Sequence, residues 1–312
     1  MKADKICCQH GIDSTTPSIK SHSLLIFFGN EKLNLYFWLL MIWRCSVYPK
    51  PVISYFRTPQ PEYTMDKRII LHIPHSSTNI PLSEGYLVDS ITLEKEILKL
   101  TDWYTDDLFY SNEDEMIVAE FSRIFCDPER FTDDAQEVMA QYGMGVLYEK
   151  SDNGEEIRIV TPELKEKVLT SCYWKHHHKF SLAVKNQLDI NGKAIIIDCH
   201  SYPSKPLERD LDKNPKRPDF NIGTDSYHTP KELIDLSISF FENAGYTLGI
   251  DWPYKGSIVP LEYYQKNNNV QTIMLEINRA LYLNEPSNEK SESYLKVKEI
   301  IQQFIMTIKN SL

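Results

Sequence analysis

The sequence lacks a Cys-x-x-Cys pair, although it contains 6 cysteines in 312 residues. A zinc ribbon and a regular disulfide framework are therefore not indicated, and a reducing, cytoplasmic setting is predicted. It also lacks a surplus of positive charge, since 34 Lys and Arg residues against 44 Asp and Glu residues give a net charge of −10. This sign disfavours binding to nucleic acid or to an anionic membrane surface.

No apolar run has the length of a membrane span. The run from Leu33 to Trp43 has 11 residues, whereas a spanning helix needs roughly 20, and no signal-peptide cleavage site follows it. The charge balance changes near Met65: residues 1–64 carry a net charge of +3 and the rest of the chain −13. We therefore expect an N-terminal extension over residues 1–64 without a role in chemistry, with a weak membrane anchor as the alternative. One domain over residues 65–312 is expected to carry the chemistry.

Beyond this extension, short runs rich in Ile and Val alternate with longer helical patterns. The predicted strands are Arg68 to Ile73, Met116 to Phe121, Ala194 to Asp198, Tyr246 to Asp251 and Gln271 to Ile277. The predicted helices are Thr92 to Tyr110, Pro162 to Leu188, Pro230 to Ala244 and Glu289 to Ile308, with Thr161 and Thr229 as caps. Because several strands have no polar face, we predict an α/β fold with a mostly parallel sheet covered on both sides. The stretch 204–225, rich in proline and charge, is predicted to be a long functional loop.

Three polar motifs follow predicted strands, at the edge where open α/β sheets bind their ligands. They contribute His75, then Asp198 and His200, then Glu276 and Arg279. Two imidazoles and a carboxylate are ligand types that zinc prefers, so the three motifs together predict a metal site. Each residue alone could equally be a hydrogen-bonded loop residue or a charge at the rim. A repeated His-Ser pair would also suit a serine nucleophile, but no Gly-x-Ser-x-Gly turn is present.

A third metal ligand must come from another segment. The predicted helix over 92–110 offers Asp102, Asp106 and Asp107, of which the first two are four residues apart and would share one face. A solvated acidic face is the alternative. The run His176 to His178 is a weak metal cluster, because consecutive helical side chains point about 100° apart and at most one faces the site.

Two arginines follow the second predicted strand, in the segment that also contains Asp127. Arg123 and Arg130 are candidates for binding a substrate carboxylate or stabilising an oxyanion. A structural ion pair with Asp127 is an equally good interpretation of either one.

At these residues the sequence resembles the N-formylglutamate amidohydrolase family, a branch of the zinc carboxypeptidase-like superfamily, from about Ile69 to Glu285. The matching elements are IPHSS at 73–77, TDW-x-x-D-x-L at 101–108, SR-x-x-x-D-x-x-RF at 122–131, the helical His178, D-x-HS-x-P at 198–203, RPD-x-x-x-GTD-x-x-HTP at 217–230, PY-x-G at 253–256 and E-x-NR-x-LY-x-x-E at 276–285. The sequence departs from the family's usual residues at Ser77, His177 and Asp251, and the last two could alter the substrate pocket.

The resemblance implies a three-layer α/β fold of the zinc carboxypeptidase type, with a mixed, mostly parallel sheet. It also implies zinc, or another divalent metal ion, held by His75, His200 and Asp102. Zinc carboxypeptidases take their first two ligands from a His-x-x-Glu motif, but here Thr78 stands third after His75. The carboxylate ligand is therefore supplied by another segment.

The implied activity is hydrolysis of an N-acyl amino acid, with N-formyl-L-glutamate as the first candidate substrate. Glu276 is the expected general base and Arg123 the second catalytic residue. The expected substrate-binding residues are Arg130, His178, Asn278 and Arg279. The expected partner is thus a small molecule, with no nucleic acid and no membrane. Alternatives are another N-acyl amino acid or short peptide as substrate, and a degenerate protein that binds an acidic metabolite without cleaving it.

Overall fold

The computed structural model describes residues 67–311, so the extension predicted over residues 1–64 lies outside the described residues. The strands are β1 (Ile70–Ile73), β2 (Glu115–Val118), β3 (Ala194–Tyr202), β4 (Phe220–Gly223), β5 (Leu248–Ile250), β6 (Val270–Asn278), β7 (Leu283–Asn284) and β8 (Glu289–Lys290). The α-helices are α1 (Ser90–Leu100), α2 (Thr105–Leu108), α3 (Pro162–Val168), α4 (Trp174–Asn191), α5 (Lys231–Asn243) and α6 (Tyr294–Asn310). Within this range, no helix is both long enough and apolar enough to cross a bilayer.

Six strands form one mixed sheet in the order β2-β1-β3-β6-β4-β5. All neighbouring strands are parallel except β4, which runs antiparallel to β6. The long strands β3 and β6 lie side by side at the centre and are paired over nine residues, from Ala194 with Val270 to Tyr202 with Asn278. The prediction of a mixed, mostly parallel sheet is confirmed.

Alternate residues of the central strands face opposite helical layers. In β3, Ile197 and Cys199 belong to the core cluster that contains α5 and α6, whereas Ala194 and Ile196 belong to the cluster that contains α4. Helices therefore cover both faces of the sheet, which confirms the three-layer arrangement. Asp198 continues the row that faces α4, so the same alternation places the polar end of β3 on the α4 side.

The helix predicted over 92–110 is interrupted, which corrects the sequence interpretation. Helix α1 ends at Leu100 and α2 begins at Thr105, with Tyr104 between them at a φ of 63°. The segment between the two helices contains neither Gly nor Pro, so no sequence signal marks the break. Asp102 lies in this break, and the prediction that it shares a helix face with Asp106 was wrong.

The stretch predicted as a loop over 204–225 contains the antiparallel strand β4. This strand is only four residues long, is interrupted by Asn221 and follows a segment rich in proline and charge, so it gives no strand pattern of its own. The cap predicted at Thr229 was also wrong, because its hydroxyl donates to the carbonyl of Thr272 in β6. Thr161 does cap α3, accepting a hydrogen bond from the backbone N–H of Leu164.

The packing of α6 against the sheet can be tested at Phe304. This side chain is fully buried, with its ring 5.0 Å from that of Phe241 in α5, so Phe304→Ala should lower the free energy of unfolding by about 3–5 kcal/mol. Met306, on the same helix, is 48% exposed, and Met306→Ala should change it by less than about 0.5 kcal/mol. Urea denaturation followed by circular dichroism measures both. Equal effects would contradict the described orientation of α6.

Candidate active site

The sheet brings three distant segments together at the carboxyl end of its central strands. His200 in β3 and Glu276 in β6 are direct partners in the parallel pairing. His75 follows β1 after a single proline, and its carbonyl oxygen accepts a hydrogen bond of 3.0 Å from the backbone N–H of Asp102. The residues that the three sequence motifs placed at this edge therefore meet in one place.

The geometry of His75, Asp102 and His200 suits a metal ion. The Nδ1 atoms of His75 and His200 both face Oδ2 of Asp102, at 3.5 and 3.1 Å. Metal–ligand bonds of about 2.0–2.2 Å place neighbouring ligand atoms roughly 3–3.5 Å apart. The buried Nδ1 atom of His75 has no hydrogen-bond partner among the described residues. The donor set and this unpartnered nitrogen fit a divalent cation.

The outer nitrogen of each histidine faces a carboxylate. Nε2 of His75 lies 2.9 Å from Oδ1 of Asp127, and Nε2 of His200 lies 3.1 Å from Oδ1 of Asp198. Glu129 spans the two rings, with its carboxylate oxygens 3.6 Å from His75 Nε2 and 3.2 Å from His200 Nε2. When a carboxylate accepts the Nε2–H bond, Nδ1 stays unprotonated, which is the state that a metal ligand requires.

These carboxylates give the centre a surplus of negative charge. Burial disfavours the imidazolium form of His200, but the charges of Glu129 and Asp198 raise its pKa well above the usual value. Burial likewise opposes protonation of His75, and the carboxylates around it still raise its pKa. The electrostatic field that favours a protonated imidazole also favours a bound cation.

Only one of the three candidate acidic ligands from the interrupted helix reaches this centre. Asp106 is exposed. Asp107 points to α6, where it accepts hydrogen bonds from Lys298 and Tyr294. Asp102 is the residue that contacts the histidines, because the helix is interrupted after α1 and the backbone there turns the Asp102 side chain inward.

Glu276 has a carboxyl oxygen without a partner. The side chain is buried, and its Oε2 atom has no hydrogen-bond partner in the described range. Burial raises the pKa of Glu276 to about 8; the positive charge of His200 opposes this shift and the negative charge of Asp102 adds to it. A carboxyl group with a pKa near neutrality can accept and return a proton.

A cavity of about 450 Å³ opens over these residues. Besides His75, Asp102, His200 and Glu276, its walls carry several cationic side chains. They are Arg123, Arg130, Arg209, Arg217, Lys255 and Arg279. Asp152, Asp210 and Asp212 line the cavity too, and Arg217 is paired with Asp210. The cavity therefore combines a metal-competent centre with a wall on which cationic side chains outnumber acidic ones.

All three guanidinium nitrogens of Arg279 donate hydrogen bonds within the protein. Its three guanidinium nitrogens donate to Ser201, to the carbonyl of Lys99 and to Oδ1 of Asp102, and the residue is 3% exposed. Arg279 thus neutralises and fixes Asp102, and because its side chain also lines the cavity, its role in substrate binding stays a prediction. Arg123 is partly committed: its Nε and Nη2 donate to Tyr148 and Asp127, while Nη1 makes no hydrogen bond in the described structure.

Two other arginines keep both terminal nitrogens free of hydrogen bonds to described residues. The Nε atom of Arg130 lies 3.8 Å from Oδ2 of Asp127, which is too far for a hydrogen bond. Arg209 donates from Nε to the carbonyl of Asp152, and its Nη2 atom lies where a Cβ at Gly154 would sit. Gly154 therefore makes room for the Arg209 guanidinium at the cavity wall.

Two expected substrate-binding residues do not line the cavity. His178 is exposed on α4, whereas His176, two positions earlier, is buried. The side chain of Asn278 is used locally, since it accepts from the backbone N–H of Ala280 and donates to the carbonyl of Pro218. Asn278 thus shapes the turn that carries Arg279.

Sequence reasoning missed Glu129, Arg209 and His72. Glu129 lies two residues after Asp127, in a segment where only the two arginines and their ion pair with Asp127 were predicted. Arg209 lies in the stretch over 204–225 that was predicted to be a functional loop. Its richness in proline and charge was the only sequence signal that pointed to this residue. His72 was hidden inside a strand, and its contacts come from segments more than 100 residues away.

The task assigned to Arg279 can be tested by stability. Arg279→Met leaves the buried Asp102 carboxylate without its guanidinium, and should lower the free energy of unfolding by about 3–5 kcal/mol in the presence of a chelator. Lys185→Met removes a surface pair with Asp189 and should cost less than about 1 kcal/mol. Urea titrations of both variants make the comparison. An Arg279→Met protein as stable as Lys185→Met would show that Asp102 does not depend on Arg279.

The fold is similar to that of solved structures at low sequence identity. The crystal structure of N-formylglutamate amidohydrolase from Ralstonia eutropha JMP134 matches with a TM-score of 0.68 and 22% identity, over 78% of this chain and 93% of that one. A gene product of Agrobacterium tumefaciens matches with a TM-score of 0.53 and 15% identity, over 78% and 91%.

Sequence comparison extends the likeness from the fold to the family. The chain is 23% identical over 226 residues to the N-formylglutamate deformylase of Pseudomonas putida, which covers 70% of this chain and 82% of that protein. The protein of the same name from Pseudomonas aeruginosa is 23% identical over 227 residues, with the same coverage. The family model described as N-formylglutamate amidohydrolase matches residues 67–283, a range that contains every residue of the centre described above. The chain therefore belongs to the N-formylglutamate amidohydrolase family.

Proposed function

We propose that this protein hydrolyses N-formyl-L-glutamate to formate and L-glutamate. The observation that carries the proposal is the buried cluster of His75, Asp102 and His200 beside the unpartnered carboxyl of Glu276, in a cavity with a cationic wall. The names of the Pseudomonas relatives support this substrate. We place the activity in the domain over residues 65–312, acting on a small molecule in the cytoplasm.

The proposed cofactor is a divalent metal ion, with zinc the best match to two imidazoles and one carboxylate. His75 and His200 would hold it through Nδ1, and Asp102 through Oδ2. Such an ion polarises a carbonyl group and lowers the pKa of water towards about 7. Asp127 would keep His75 in the required tautomer, Glu129 and Asp198 would do the same for His200, and Arg279 would hold Asp102 in position.

Glu276 is the proposed proton carrier. It accepts a proton from the attacking water as the water oxygen bonds to the formyl carbon. It then gives this proton to the amine nitrogen as the carbon–nitrogen bond breaks, which releases formate and glutamate. Its buried position, next to His200 in the sheet, supports this double role as base and then acid.

The cationic wall is the proposed site for the negative charges of substrate and transition state. The unbonded Nη1 of Arg123 lies 3.9 Å from Asp102 and is available to the developing oxyanion. Arg130 and Arg209 keep their terminal nitrogens free, so we assign the two substrate carboxylates to them, in place of Arg279 and His178.

A direct assay tests the substrate. Purified protein is supplied with zinc and incubated with N-formylglutamate, N-formylaspartate and N-acetylglutamate, and formate or free amine is measured. We expect N-formylglutamate to be cleaved with the highest kcat/KM, and a chelator to abolish turnover. Turnover that persists after verified metal removal, or a clear preference for another acyl group, would contradict the proposal.

Two variants separate metal binding from proton transfer. Glu276→Gln is nearly isosteric and should keep the metal, while kcat falls by about 10²–10⁴ because the base is lost. His200→Ala should lose the metal, since one of three protein ligands is removed. Metal content after gel filtration and steady-state kinetics report the two effects, with His178→Ala as the matched exposed control. A metal-free Glu276→Gln protein would make Glu276 a ligand instead of a base.

A further inference from the structure

Two buried histidines outside the proposed ligand set have no part in the mechanism above. His72 in β1 is fully buried, and His176 in α4 is 4% exposed. In the sheet, His72 is the direct partner of Asp198 in β3. Strand alternation places both on the α4 face, because Ile70 and Ile196 in the same rows pack against α4.

His72 is hydrogen bonded at both ring nitrogens. Its Nδ1 lies 2.8 Å from Oδ1 of Asp198, and its Nε2 lies 3.0 Å from Nε2 of His176. A carboxylate only accepts, so Nδ1 of His72 is the donor. The ring also stacks on Phe180, with centroids 4.6 Å apart and an interplanar angle of 9°. Helix α4 therefore fixes His72, and His72 in turn donates to Asp198.

Asp198 connects this pair to a proposed metal ligand. The oxygen that accepts from His72 also lies 3.1 Å from Nε2 of His200, and the second oxygen accepts from the backbone N–H of Ile258 over 3.2 Å. The hydrogen bond of His200 Nε2 runs to Oε1 of Glu129 over 3.2 Å, and Asp198 lies within ion-pair distance of the same nitrogen. The side chain of Glu129 is 15% exposed, whereas that of Asp198 is 2% exposed. Of the two carboxylates beside this nitrogen, the buried Asp198 is the one held at both oxygens, by His72 and by the backbone of Ile258.

We infer that His72, anchored by His176, is a positioning residue that holds Asp198 so that His200 presents an unprotonated Nδ1 atom to the metal. The inference rests on the proposed function, because it assumes that His200 is a metal ligand. Carboxylates that orient a ligand histidine typically affect metal affinity by 10- to 100-fold. His72 acts one step further out, through the carboxylate, and its effect should appear in metal affinity and not in the chemical step.

The test compares zinc affinities of variants that move or remove the donor. His72→Phe keeps a ring against Phe180 but removes the donor, and should weaken zinc binding about 10- to 100-fold. His72→Asn places its amide nitrogen near the position of Nδ1 and should keep affinity within a few-fold of wild type. His72→Gln places the amide near Nε2 instead and should resemble His72→Phe. Competition with a chromophoric chelator gives the dissociation constants, and kcat at saturating zinc should change little in all three.

Phe180→Leu is the matched control, because it disturbs the packing of His72 without removing a hydrogen bond. Zinc affinity in His72→Phe equal to that in Phe180→Leu would reduce His72 to a packing residue and overturn the inference. If His72→Phe does not fold, the contrast between His72→Asn and His72→Gln still decides, and equal affinities for these two would also overturn it.

Metal stoichiometry separates this inference from its rivals. His72, Glu129 and Asp198 lie close enough to hold an ion themselves. Two equivalents of zinc in the wild type and one in His72→Phe would make His72 a ligand and overturn the positioning role. The expected affinity pattern in a protein that does not cleave N-formylglutamate would support the inference and refute only the proposed substrate.

Discussion

Buried negative charge around two histidines is the constraint on which the centre depends. Asp102, Asp127 and Asp198 are each at most 2% exposed, and an unpaired carboxylate at such depth is costly. Asp127 is held by His75, Arg123 and Tyr148, and Asp102 by Arg279. Among the histidines and carboxylates of the centre, this leaves Nδ1 of His75 and Oε2 of Glu276 without partners. The first is one of the three atoms proposed to hold the metal ion, and the second belongs to the proposed proton carrier.

The alternation of side chains along parallel strands explains how so many polar groups fit into one core. Cys199 and Leu275 contribute to the apolar layer under α5 and α6. Their neighbours His200 and Glu276 face the other side, beyond the apolar residues that pack on α4. A shift of one residue in the β3–β6 register would exchange these faces and bury the charges among aliphatic side chains. Nine residue pairs between β3 and β6 fix that register. The fold and the chemistry therefore depend on the same ladder of hydrogen bonds.

The sequence predicted five of the six strands of the sheet and the residues at its edge, because both follow from local patterns. Apolar runs that end in His, Asp or Glu identify buried strands and their functional ends without any knowledge of long-range contacts. The interruption of the helix at Asp102 was not predictable in this way. It depends on the positive φ of Tyr104 and on the hydrogen bond from the backbone N–H of Asp102 to the carbonyl of His75. The contacts of Arg279 were not predictable for a related reason. Its partners come from α1 and β3, about 180 and 78 residues earlier in the chain, and residue type alone does not separate a structural guanidinium from a substrate-binding one.

The residues proposed for chemistry and those proposed for recognition come from different parts of the fold. His200 and Glu276 lie within central strands, where the register holds them rigidly. Arg130 and Arg209 lie in connecting segments, and Arg209 depends on a glycine in yet another loop to seat its guanidinium. Loops change length and sequence at little cost to a buried sheet. Because Arg209 makes no hydrogen bond to the proposed proton carrier or metal ligands, substitutions in its loop can change which carboxylates are recognised while the proposed centre stays intact. Arg130 is less independent, since it lies 3.8 Å from Asp127, which contacts His75. The same separation explains why the motifs of the proposed metal site are recognisable in the sequence, whereas the identity of the substrate depends on the arrangement of cations around them.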